Sequence, residues 1–144
     1  MATLTATAAQ STVPAKYSIN GTITRIVDYS LGATGNPNLS TGDVIQMVRV
    51  PSGACVLDVW FMTDQLSGGN YTVTVGDGNT ANRYFASLST GSTSGINKMT
   101  LAGPAGIGYS YSAEDTIDIT VSTVTTATAS GVLRLAVSYT MDNP

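Results

Sequence analysis

Apolar residues in this chain recur at every second position, in short runs broken by Gly, Pro, Asn and Ser, and nowhere at the spacing of a helix face. A period of two places one set of side chains on each face of a strand, so a buried and a solvated face are written into each run. The runs favour Val, Ile, Thr and Tyr, side chains that suit a pleated, half-buried surface. They fall at 22–29 (TITRIVDY), 43–50 (DVIQMVRV), 54–62 (ACVLDVWFM), 71–75, 83–88 (RYFASL), 97–101, 117–121 and 133–139. Pro51-Ser52-Gly53 is a turn, and Gly76-Asp77-Gly78-Asn79 supplies residues that tolerate positive φ at a hairpin tip. The pattern predicts an all-β chain: an antiparallel β-sandwich, a jelly roll of about eight strands over residues 21–144, with a closed barrel as the second choice.

The run at 54–62 is apolar on both sides. Strict alternation puts Cys55, Leu57, Val59 and Phe61 on one face and Val56, Asp58, Trp60 and Met62 on the other. One face then belongs to the core and the second lies under another layer, a loop or a partner subunit. Val56, Trp60 and Met62, with the nearby Tyr84 or Phe85, are accordingly expected in a symmetric homo-oligomer contact, a dimer ahead of a trimer because two-fold contacts are commonest. Trp60 has two readings, an exposed anchor or a core side chain.

Residues 1–20 are small and polar and contain Pro14, so alone they bury too little to offset their ordering entropy. They read as a flexible or extended arm. Such an arm is either frayed or ordered against a neighbour through Leu4, Val13, Tyr17 and Ile19. The first ten residues lack the basic and apolar regions of a secretory signal.

Charged residues are 10% of the chain against roughly 25% in an average protein. Solubility therefore rests on 22 threonines, 15 serines, Asn, Gln and Gly, and such a surface needs little charge desolvation when a neighbour covers it. The six Lys and Arg are scattered singly, so no basic stripe is available for a phosphate backbone and no nucleic-acid partner is expected. No apolar stretch reaches the ~18 residues of a membrane span, and no membrane partner is expected. Cys55 is the sole cysteine; it reads as a small buried hydrophobe and excludes an intrachain disulfide.

Catalytic chemistry has little to work with. There is no histidine, and the lysines are only Lys16 and Lys98, so an activated Ser or Cys lacks its usual base. Asp58, Asp118 and Glu114 are the carboxylates that could be nominated as an acid pair, but the two Asp fall at polar strand positions and Glu114-Asp115 lies in a turn. Asp77-Gly78-Asn79 resembles the start of a calcium loop, yet the closing Glu is replaced by Leu88. Gly103–Gly108 lacks dinucleotide spacing. The sequence thus predicts no enzyme, no cofactor, no metal and no small-molecule substrate.

Three stretches in order carry a family resemblance: GDVIQMVRVPSGACVLDVWFMTDQL, YTVTVGDGNTANRYF and YSAEDTIDITVSTVTTATASGVLRLAVSYT. Between Gly42 and Thr140 the chain resembles the small cement, or decoration, proteins of tailed bacteriophages. The resemblance implies a jelly-roll protein on the outer face of an assembled head, made in the bacterial host cytoplasm. Its partners would be the major capsid protein, whose neighbouring subunits it bridges against genome pressure, and itself. A carbohydrate-binding or host-attachment module is the alternative, since jelly rolls also serve lectins.

Overall fold

A computed structural model of the chain describes residues 1–5, 21–64, 66, 70–90, 95–98, 106–126 and 130–141. Nine strands and no helix occur among them: β1 (Thr3–Thr5), β2 (Thr22–Leu31), β3 (Val44–Val50), β4 (Ala54–Thr63), β5 (Asn70–Asp77), β6 (Phe85–Ser89), β7 (Gly95–Lys98), β8 (Asp115–Thr126) and β9 (Gly131–Met141). Eight correspond to the runs read from the sequence, and β1 is the addition.

The strands form two sheets, ordered β1-β3-β8-β5-β6 and β2-β9-β4-β7. Apart from β1, which runs parallel to β3, every pairing is antiparallel. The pairs β2 with β9, β3 with β8, β4 with β7 and β5 with β6 are nested, as in one long hairpin with its tip between β5 and β6 that has been wound over on itself. That is the jelly roll, and it divides the eight strands between two facing sheets.

The core lies between the sheets. Ile45, Val48 and Val50 of β3, Ile117, Ile119 and Val121 of β8, and Tyr71, Val73 and Val75 of β5 face Val27, Tyr29 and Leu31 of β2, Leu133, Leu135, Val137 and Tyr139 of β9, and Val56, Val59 and Phe61 of β4. Each such side chain contributes about 1.5–3 kcal/mol when fully withdrawn from water. The alternating pattern therefore fixes which face turns inward.

Strict alternation fails in β4. A register shift between Val56 and Asp58 marks a bulge, and the extra residue returns Val56 to the same face as Val59 and Phe61. Val56 is thus a core residue, while Cys55 is half-buried and Leu57 is 41% exposed. The expected face of Val56, Asp58, Trp60 and Met62 is corrected to Asp58, Trp60 and Met62. Periodicity cannot report an inserted residue, because the bulge is set by pairing with β9.

Two glycines have different reasons. Gly53 closes the Pro51-Ser52-Gly53 turn at φ +84°, where a side chain would be strained. Gly76 and Gly78, expected at positive φ, are not in that region. A Cβ on Gly76 would stand 2.0 Å from the Thr80 carbonyl oxygen, so the glycine is there because the connection from β5 to β6 folds back onto the strand. Gly76→Ala is expected to cost about 1–3 kcal/mol or more, since backbone must move. Gly78→Ala, whose Cβ would meet Asp115 at 3.4 Å, should stay within about 0.5 kcal/mol. Denaturant melts of the two variants check the contrast.

Candidate functional site

The outer face of the β2-β9-β4-β7 sheet is built from the alternate positions that the core does not use. On β2 these are Thr22, Thr24, Ile26, Asp28 and Ser30, and the register sets Ile26 beside Ala136 of β9, Ala136 beside Trp60 of β4, and Trp60 beside the position of Lys98 in β7. Ile26 is 63% exposed and Ala136 only 9%, so the small Ala leaves a shallow dip between an exposed Ile and a half-buried indole. This apolar row crosses the middle of the sheet.

Polar pairs flank it on both sides. In one neighbouring row Arg134 donates to both Asp28 oxygens, Nε at 2.6 Å and Nη2 at 2.7 Å, with half-buried Met62 as the next partner on β4. That two-pronged hydrogen bond, followed by the guanidinium charge, holds the Asp28 carboxyl below its usual range. In the other row Thr24 and Ser138 share a hydrogen bond at 2.9 Å, and Asp58 accepts the Trp60 indole N–H at 2.8 Å. The polar edge of the Trp60 ring is therefore satisfied within the same face. An exposed apolar centre with self-satisfied polar rims resembles a protein contact surface, where the core is dry and charges are already paired.

The sequence-derived contact residues divide. Trp60 and Met62 lie on this face. Val56 and Tyr84 are fully buried and Phe85 is 8% exposed, so the chain's own interior covers them without a partner. Leu4 in β1 packs half-buried against the core. Val13, Tyr17 and Ile19 lie outside the described residues. Sequence reasoning missed Ile26 and Ala136; the available signal was Ile26 itself, the lone apolar residue among Thr, Asp and Ser at the outward positions of β2.

A second concentration of polar groups sits at one end of the sandwich. Asp77, at the end of β5, accepts backbone N–H groups of Asn79 (3.1 Å) and Thr80 (2.8 Å) on Oδ1 and the Tyr111 hydroxyl (3.0 Å) on Oδ2, where Arg83 Nε also donates. Tyr84 and Tyr111 hydroxyls hydrogen-bond at 2.7 Å, and the Arg83 guanidinium lies 3.6 Å over the Tyr109 ring. Burial pushes the Asp77 carboxyl up, but Arg83 and the converging donors outweigh it and hold it below the usual range. Burial pushes both the Tyr84 and Tyr111 hydroxyls well above theirs. The Asp of the apparent calcium loop thus holds a guanidinium, which is a structural arrangement.

Beside it, Gly78, Asn79, Tyr109, Tyr111, Ser112, Ala113, Glu114 and Asp115 line an open cleft of about 350 Å3. Of the nominated carboxylates, Glu114 pairs with Arg49 at 3.1 Å on the surface, Asp58 serves Trp60, and Asp118 is buried at 5% exposure on β8 between Gln46 of β3 and Gly76 of β5. They belong to three separate places. Among the described residues no cluster of three or more metal-ligating acidic, Cys or His side chains occurs.

Asp118 departs from the exposed polar position expected of it. Its Oδ1 accepts no hydrogen bond, and burial, with repulsion from Asp115 and Asp77 and against a hydrogen bond from Thr116, pushes the carboxyl up to about 7. The unfolded chain loses this proton near the ordinary Asp value, so stability falls as pH rises from about 4 to about 7 and the loss is complete above that. Asp118→Asn should therefore raise the melting temperature at pH 8 by an amount reflecting a few kcal/mol. At pH 4 the two proteins should differ little, and parallel thermal melts across pH 4–8 check this.

Comparisons with known proteins agree with the fold. Over 99% of both chains, this protein is similar to a chain of the capsid of Ralstonia phage GP4, at 18% identity and a TM-score of 0.76. A chain of the cyanophage Pam1 capsid asymmetric unit is 25% identical with a TM-score of 0.60, covering 93% of this chain and 96% of that one. The acid-stable capsid of Helicobacter pylori bacteriophage KHP30 contains a third, at 15% identity and a TM-score of 0.51, covering 86% and 98%. No model of a known family matches the chain, and no curated protein matches it. The fold is that of jelly-roll chains found in phage capsids.

Proposed function

We propose that this chain is a structural protein of a tailed-phage virion that attaches to the outside of the assembled head, bridges neighbouring major capsid subunits and stabilises the DNA-filled shell. The observation that carries this reading is the end-to-end likeness to a chain of a phage capsid, in which neither protein has more than a trace of unmatched length. A charge-poor, hydroxyl-rich surface supports it, since covering such a surface strands few charges. The row Ile26–Ala136–Trp60, with Met62 beside it, is the face assigned to the shell. Its strands are held in the sandwich by their inward residues, so the face is presented rigidly and little ordering entropy opposes attachment. Copies of the chain are taken to associate with one another on the head as a symmetric homo-oligomer. The reading includes no reaction, cofactor or nucleic-acid contact.

Ile26→Arg tests the face without disturbing the core, because the side chain is 63% exposed and its removal should change stability by less than about 0.5 kcal/mol. The expected result is an unchanged melt and at least a tenfold loss of binding to undecorated heads, read by co-sedimentation. Heads lacking the protein should release DNA at a lower temperature than decorated heads. Equal heat tolerance of the two kinds of head would remove the stabilising role.

A further inference from the structure

β2 is a long and regular edge strand. Its ten residues, Thr22–Leu31, pair with β9 in one unbroken register and include neither a proline nor a bulge. It ends the order β2-β9-β4-β7, and among the described residues no strand pairs with its other side. Alternate residues of an antiparallel edge turn their N–H and C=O groups away from the neighbouring strand, so about five residues of β2 offer both to an incoming backbone. Edges of this length and regularity are templates for a further strand.

One side chain on that edge is incomplete. The inner row of β2 is Ile23, Arg25, Val27, Tyr29 and Leu31, so Arg25 stands on the core side of the sheet between apolar neighbours. It is half-buried, and its Nε is shielded from water with no hydrogen-bond acceptor. The other arginines of the described residues all have carboxylates: Arg49 holds Glu114, Arg83 holds Asp77 and Arg134 holds Asp28. An unpaired charge with a shielded, unmet donor is costly, and a carboxylate arriving at the same edge removes that cost. A second copy of β2 does not bring one. Its inner row contains no acid, and Asp28 of the outer row is already held by Arg134. An inward charge on an edge strand turns away chains that cannot pair it.

We infer that the unpaired side of β2 takes an extended segment of a partner chain as an added strand, and that Arg25 selects a segment with a carboxylate on its inward side. Backbone hydrogen bonds supply the affinity, and the ion pair with Arg25 supplies the choice of partner. On the function proposed above, that partner is the capsid, and the added strand lies beside Ile26 and extends the attachment face.

The test reads the site with a peptide probe and then with heads. The probe is a capped peptide of the length of β2, alternating threonine and valine, with a lysine at each end and a central valine replaced by aspartate. Its control carries asparagine at that position. The aspartate peptide should slow hydrogen exchange of about five amides within residues 22–31 of the full chain. It should bind about tenfold more tightly than the asparagine peptide. Arg25→Gln removes the charge and keeps the edge, so the variant should lose that preference without a lower melting temperature. On undecorated heads the same amides should gain protection, and Arg25→Gln should bind about tenfold more weakly than the unaltered protein. Equal binding of the two peptides, unchanged exchange across residues 22–31, or unchanged attachment of Arg25→Gln to heads would overturn the inference. Unaltered protein that ignores heads yet discriminates the peptides would overturn the capsid reading and uphold the site.

Discussion

The buried carboxylate of Asp77 is the point on which one end of this sandwich depends. Its Oδ1 gathers the backbone N–H groups of Asn79 and Thr80, which folds the chain back over Gly76, and its Oδ2 takes the Tyr111 hydroxyl beside Arg83. Tyr111 in turn belongs to a segment hydrogen-bonded to the start of β4: Tyr111 N–H to the Ala54 carbonyl at 2.8 Å and Val56 N–H to the Tyr109 carbonyl at 2.9 Å. One carboxylate thereby ties β5 of the first sheet to β4 of the second. A buried charge carries a large desolvation cost, and this one is tolerated because a guanidinium and three further donors meet it. Loss of Arg83 would leave that charge unpaired, which is the destabilising half of such an arrangement.

A chain with few charges places one of its ion pairs where it shapes a surface. The Arg134–Asp28 pair and the part-buried Trp60–Asp58 hydrogen bond bracket the Ile26–Ala136–Trp60 row, and the ion pair contributes little to folding because its guanidinium and carboxylate are exposed. What they do is keep polar atoms satisfied and side chains in place beside an apolar strip. The bulge in β4 has a related effect: by returning Val56 to the core it leaves Asp58, Trp60 and Met62 as the outward set, so the strip and its rim share one face.

Asp118 belongs to the opposite sheet and follows a different logic. Its cross-strand neighbours are Gln46 and Gly76, and the backbone of Thr80 and Ala81 lies over Gly76. The same fold-back that Asp77 organises thus closes the outer face of β5 beside Asp118, and burial raises its carboxyl. Two acidic side chains of one sheet are shifted in opposite directions because one has a cation and the other has none.

The sequence by itself determined the class of fold. Alternation from Thr22 to Leu31 and from Gly131 to Met141 can satisfy only a two-faced strand, and glycine and proline at Pro51–Gly53 can only turn, since these are local constraints of backbone and side-chain direction. Trp60 and Met62 were legible as a second apolar face for the same reason. The placement of Val56 in the core, the burial of Tyr84, the pairing of Asp77 with Arg83, the burial of Asp118 and the alignment of Ile26 with Ala136 and Trp60 were decided only by tertiary structure. Each depends on register between strands far apart in the chain, and a single bulged residue reverses which face a side chain takes, so no local period can carry that information.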